Sequence, residues 1–275
     1  MTYYLIKAFR NRPNNLTLAL MDIAESFRLW RLGLSLGWFD IKLRYKGSFF
    51  GPLWITSTSA AMIGTMGLIY SSLFNMDLHL YLPYISLAII LWDNAIAIYL
   101  TDGCFCFIQA EDVIHSVKMP FFIQVIRATT RNLIMLGLNL TIPLIVLLYY
   151  HLWPGWMILM CIPGILINII NGWAICLFLG CICARYRDIP QIINSLIQII
   201  FYVTPIIWMP TQLHNKTALL LANPFYTMIE VIRAPLMGKF PSANVWGALC
   251  LYSIFIIAIS FFVFVKKRSH LAFWI

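Results

Sequence analysis

Charge is what this sequence has least of. Only 11% of its 275 residues are Asp, Glu, Lys or Arg, and just ten are acidic, whereas a soluble domain carries roughly 25% charged residues. A chain of this length folded in water would bury a core and still need a charged skin. The material for that skin is missing, while hydrophobic residues make up 61%. A soluble globule is excluded, and the chain reads as a polytopic membrane protein. Catalytic signatures are missing as well. There is no G-x-x-x-x-G-K-[ST] phosphate loop, so no nucleotide site is expected on this chain. No nucleophile elbow, His-Glu zinc pattern or flavin fingerprint occurs either.

Charge is also absent over long continuous runs. A spanning helix needs about 20 mostly apolar residues, and nearly charge-free blocks cover 49–75, 82–107, 132–153, 154–184, 189–210 and 242–265. The uncharged run 132–184 is too long for one helix. "HLWPGW" (151–156) breaks it, because a Pro-Gly pair between interfacial tryptophans marks a turn at the membrane surface. The expectation is an all-α protein of six transmembrane helices, the second weakened by Asp93 and Asp102. With the N-terminus inside, sixteen Lys and Arg fall on inside segments and three (Lys216, Arg233, Lys239) outside. The positive-inside bias therefore predicts both termini in the cytoplasm. "LTLALM" (16–21) is too short for a signal core. The net charge of +9 sits on the cytoplasmic rim, where it suits anionic lipid headgroups, and no nucleic-acid partner is read into it. Seven cysteines lie in or beside the spans with no histidine near the C-x-C pairs, so they read as small packed residues and no metal site is expected.

Four regions follow: a cytoplasmic arm (1–27), an amphipathic interfacial helix (28–46), a transmembrane domain (47–265) and a cytoplasmic tail (266–275). In the interfacial helix Leu29, Leu32, Leu36, Phe39 and Leu43 share one face beside a basic one, and Asp40 can pair with Arg44 at i,i+4. Within the domain, 108–122 is a short amphipathic segment stopped by Pro120. The external loop 211–241 carries apolar stretches too short to cross, read as re-entrant helices. Small residues at steps of four, Gly172, Cys176, Gly180 and Ala184, with Ala60 and Gly64, predict close helix packing.

"DIKLRYKGSFFGPLW" (40–54), "VIHSVKMPFF" (113–122), "ARYRDIPQIINSLIQIIFYVTPIIW" (184–208) and "NPFYTMIEVIRAPLMG" (223–238), in this order and at these places relative to six spans, resemble the membrane subunits of bacterial ABC-2-class polysaccharide exporters. That family includes O-antigen, capsule and teichoic-acid permeases. The chain departs from such permeases at the acidic pair of "QAEDVIHSV" and at Asp93 in "LWDNA". The resemblance implies a bacterial inner-membrane homodimer docked on two separate ATPase subunits, which bind the ATP and Mg. It also implies a lipid-linked polysaccharide moved outward, with no cofactor on this chain and no enzymatic activity of its own.

The candidate site residues follow. Lys42, Arg44 and Lys46 could receive a lipid pyrophosphate through charge-assisted bonds, or could simply anchor the helix. Phe49, Phe50, Trp54, Phe201, Tyr202 and Trp208 offer faces on which sugar rings stack, or belong to an interfacial belt. Asp93 should face the bundle, bonded to Asn139, Asn168 or Asn171, or should line the path. Glu111, Asp112, His115 and Lys118 would contact the ATPase, while Arg185, Arg187 and Asp188 would join that contact or lock the inner ends of spans four and five. Glu230 and Arg233 would pair in the external region. The rivals are a permease of the same fold with a teichoic-acid, lipid or drug cargo, and a non-ABC carrier or membrane-embedded enzyme.

Overall fold

The computed structural model describes residues 14–213 and 217–275. Every regular element among them is helical. The first helices, α1 (Asn15–Arg28) and α2 (Trp30–Arg44), precede the long ones. Five helices are long and apolar enough to cross a membrane: α3 (Leu53–Leu73), α4 (Leu78–Phe105), α6 (Phe122–Tyr149), α7 (Gly155–Cys183) and α11 (Ala243–Trp274). Between them lie α5 (Glu111–Ser116), α8 (Ile189–Val203), α9 (Thr217–Leu221) and α10 (Pro224–Leu236). Residues 1–13 of the expected arm, and 214–216 of the expected external loop with its Lys216, lie outside the described residues. From Asn15 the arm is helical.

The sequence explains where the helices start and break. Asp77 and Ser242 accept backbone N–H groups at the starts of α4 and α11. In α6 the ladder is interrupted at Leu140. Pro143 lacks the N–H that would reach the Asn139 carbonyl, and its ring crowds that carbonyl. The turn into α7 places His151 and Gly155 at positive φ, and Trp153 and Trp156 beside it are exposed. Helix α8 is only 15 residues. It does not continue to 210 as the charge-free block suggested. Thr204–Ile207 follow it as buried non-helical backbone.

Two apolar cores stack along the bundle. One gathers Ile85, Leu91, Ile229, Val231 and Leu249 at the end carrying α10. The other gathers Phe107, Phe122, Cys176, Phe264 and Leu271 at the end carrying α1, α2 and α5. Helix α4 runs through both and is buried along most of its length. Small residues admit it: a Cβ on Gly172 would stand 2.6 Å from the Tyr99 ring, and one on Gly180 2.8 Å from Phe107. The expected α3 stripe differs. Ala60 is exposed and Gly64 meets open space, while Ile63, Gly67 and Ser71 form the buried face.

Helix α2 meets the rest of the protein through a face other than its leucines. Leu29, Leu32, Phe39 and Leu43 are exposed, and the buried positions are Gly33, Gly37 and Ile41. Cβ atoms on the two glycines would each lie 2.7 Å from α6, at Ile126 and at the Arg127 carbonyl. Glycine at steps of four lets the two backbones touch, leaving the larger apolar side chains outward for lipid.

Candidate functional site

Helix α2 ends in the basic strip, and Lys42, Arg44 and Lys46 are all exposed. Asp40 does not pair with Arg44. It accepts a two-bond fork from Arg127, Nε at 2.7 Å and Nη2 at 2.6 Å, plus Arg131 at 3.3 Å. Arg131 also reaches Asp102 of α4 at 2.6 Å. Two arginines expected in a loop thus lie inside the first turns of α6, each facing carboxylates on neighbouring helices. This network satisfies four charges at once and ties α2, α4 and α6 together.

Nearby, Asp22 of α1 is buried. It accepts the Phe121 and Phe122 backbone N–H groups at 3.2 and 3.0 Å, capping α6, and Arg268 of α11 at 3.0 Å. Between α4 and α6 sits α5, with Glu111, Asp112, His115 and Lys118 all exposed and Ile114 turned to the core. Arg185, Arg187 and Asp188 are exposed in the α7–α8 turn. Arg185 lies 5.1 Å over the Trp274 ring, and Arg187 donates to the Trp274 carbonyl at 3.4 Å. They therefore clasp the end of α11, which stays helical through Trp274, across the span expected as a cytoplasmic tail.

The loop 47–52 needs glycine, with Gly47 and Gly51 at positive φ. It presents Phe49, Phe50 and, just beyond, Trp54, all exposed; Phe49 and Phe50 meet edge to face at 5.0 Å. On α8, Tyr202 is exposed while Phe201 is half-buried against Trp92 at 5.8 Å. Trp208 is half-buried and donates to the Tyr202 carbonyl at 3.1 Å.

Buried non-helical backbone needs partners. The carbonyls of 205–208 find them in side chains: Tyr81 donates to Ile207 at 2.6 Å, Tyr84 to Pro205 and Trp208 at 2.8 and 3.0 Å, and Arg233 to Pro205 at 2.9 Å. Glu230 holds Arg233 through Nε at 3.0 Å. The pair is no loose surface bridge, because Arg233 is 1% exposed and stacks 4.2 Å over Tyr84.

Asp93 opens a π-turn, Asp93–Ala97, in the middle of α4. None of the three asparagines proposed as its partners reaches it. Asn139 joins Asn94 at 2.8 Å and Thr56 at 2.9 Å, Asn168 donates to the Met228 carbonyl, and the Asn171 side-chain oxygen is unpaired. Among the described residues no hydrogen bond or ion pair reaches the Asp93 carboxylate. No group of His, Cys, Asp or Glu suited to a metal forms among them either. A groove of about 680 Å³ between α4, α7, α8, α10 and α11 is apolar, and Asn171 is the one amide beside it.

Sequence reasoning missed Asp22, Gly33, Gly37, Tyr81 and Tyr84, and gave Asp40 the wrong partner. The paired glycines of "LGLSLGW" were the one signal on offer.

No family model matches the chain. It is 22% identical over 260 residues to the O-antigen export system permease protein RfbA of Myxococcus xanthus, across 91% of this chain and 97% of that protein. Two Klebsiella pneumoniae proteins of the same name are 28% identical over 202 residues and 25% over 245. They cover 69% and 85% of this chain, and 74% and 90% of their own lengths. Along most of its length the chain is thus similar to O-antigen export permeases, and its body of membrane-length helices agrees with that likeness.

Proposed function

We propose that two copies of this chain, seated on two ATPase subunits in a bacterial inner membrane, carry a lipid-linked polysaccharide of the O-antigen type from the cytoplasmic leaflet outward. The observation that carries the reading is the similarity to O-antigen export permeases over 91% of the chain. ATP and Mg belong to the partner, since this sequence holds no phosphate loop.

Both termini lie in the cytoplasm, and α8 makes the sixth crossing. At about 22 Å the helix alone is short of the roughly 30 Å core. The 204–208 segment extends it, and non-helical backbone at membrane depth is tolerated where protein covers it. Helices α9 and α10 form the external re-entrant region, with Glu230 and Arg233 bracing it.

Helix α5 is the coupling element. Its charged residues are free of the core, and Ile114 anchors it. Arg185, Arg187 and Asp188 form the rim beside it. A push on α5 passes to α4 and α6, and from their charge network to α2. That tilts the basic strip Lys42, Arg44 and Lys46, where the lipid pyrophosphate is received. The aromatic residues Phe49, Phe50, Trp54, Phe201, Tyr202 and Trp208 line the way between α3 and α8. Sugar faces slide on such rings without demanding one hydrogen-bond pattern.

The test is co-purification with the ATPase encoded beside it. The chain alone should hydrolyse no ATP. The complex should hydrolyse it, and deleting the permease should strand lipid-linked polymer inside the cell. Normal surface polymer after deletion would overturn the reading.

A further inference from the structure

Between Tyr81 and Cys104 of α4, Asp93 is the single exposed residue; all the others are buried or half-buried. It stands fifteen residues into the 28-residue helix, about 22 Å along it, and so near the midpoint of a membrane-length helix. The π-turn begins at this residue, and an extra residue in a helical turn commonly marks a functional position. A carboxylate at that depth does not face lipid; it faces protein or a watery path. The helix supplies no partner, since its neighbour Asn94 takes the polar contacts, joined to Asn139 and through it to Thr56. That chain of bonds fixes the first turn of α3, with exposed Trp54, at the level of Asp93.

The geometry points to Asp93 as the hydrogen-bonding contact for sugar in the conduit and as the residue that sets the charge of the cargo. A carboxylate accepts bonds from two neighbouring hydroxyls while aromatic faces take the ring. The pairing suits uncharged repeat units. An anionic unit meets two like charges, one from each copy, in a stretch where no lysine or arginine offsets them, and like charges brought together oppose passage. This inference rests on the exporter reading above and names the class of polymer that reading leaves open.

The test uses the complex with its ATPase in vesicles. Two probes are supplied: a lipid-linked homopolymer of a neutral hexose, and the same polymer bearing uronic acids. Wild type should move the neutral polymer about tenfold faster. Asp93→Asn should bring the two rates to within about twofold, chiefly by admitting the anionic polymer. An unchanged ratio in Asp93→Asn, or no preference in wild type, overturns the inference.

A second arm stands apart from transport. With the exposed Cys250 replaced by Ser, and the six other cysteines buried, Asp93→Cys should react with a charged, membrane-impermeant thiol reagent. Failure to react overturns the placement of Asp93 even where Asp93→Asn misfolds. Wild type moving neither polymer would sink the exporter reading instead, with the labelling still deciding where Asp93 faces.

Discussion

Asp40 and Arg127, 87 residues apart in sequence, meet in a two-bond fork at 2.6 and 2.7 Å. Both are mostly buried, with side chains 15% and 22% exposed. Arg131 sits beside them, bridging to Asp102. Helix α2 is thereby fastened along the membrane-length helix α6. Asp40→Ala leaves two arginines facing one carboxylate, and should cost about 3 kcal/mol of stability, as losing one partner of a buried pair does. Thermal unfolding in detergent measures it. The exchange Asp40→Arg with Arg127→Asp should recover part of the loss, and no recovery would show that the pair does not act as a unit.

The α2–α6 contact depends on two missing side chains. Gly33→Ala or Gly37→Ala places a methyl 2.7 Å from α6 atoms, and each should destabilise by about 1–3 kcal/mol through overpacking. Gly64→Ala, with open space around it, is the matched control and should change little.

Tyr84 serves two carbonyls of the segment after α8. Tyr84→Phe keeps the ring under Arg233 but removes the hydroxyl proton the two carbonyls share, and should cost about 1–3 kcal/mol, because Trp208 loses its donor while Pro205 keeps Arg233. Arg233→Met should cost more, because it also strips half-buried Glu230 of its cation. Faster hydrogen exchange at 204–208 than elsewhere would locate the effect.

Reversing charge on α5 (Glu111→Lys with Asp112→Lys) should leave the melting temperature unchanged, since both side chains are exposed. It should abolish co-purification with the ATPase. Retained ATPase binding would remove α5 from the coupling role.

Much of the helical body is legible in the residues alone. An uncharged run of this length suits a membrane crossing and little else, and four of the six expected blocks lie close to α3, α4, α7 and α11. Span three begins ten residues earlier than its uncharged block, because Arg127 and Arg131 look like loop charges until their carboxylates, on other helices, are seen. Hydropathy cannot tell α8 from its non-helical continuation, since Pro205, Ile206 and Ile207 are as apolar in either form. The leucines of α2 gave a face but not its direction, because in a bilayer apolar residues turn outward as readily as inward. The site was less legible still. Glu111, Asp112 and His115 were placed on one exposed helix from sequence, while Lys118 lies past its end at Ser116, and the tethers Tyr81, Tyr84 and Asp22 depend on contacts across more than ninety residues, which local pattern does not encode.

Arg268 meets Asp22 only after translation has passed residue 268, 246 positions beyond the carboxylate. Until then the carboxylate that caps α6 has no cation, and burying it uncompensated is costly. Helix α1 is therefore secured only once α11 has been made. A ribosome-bound intermediate should keep the segment around α1 cleavable by protease until α11 emerges, so that the helix ends joined by Asp22 come together only late.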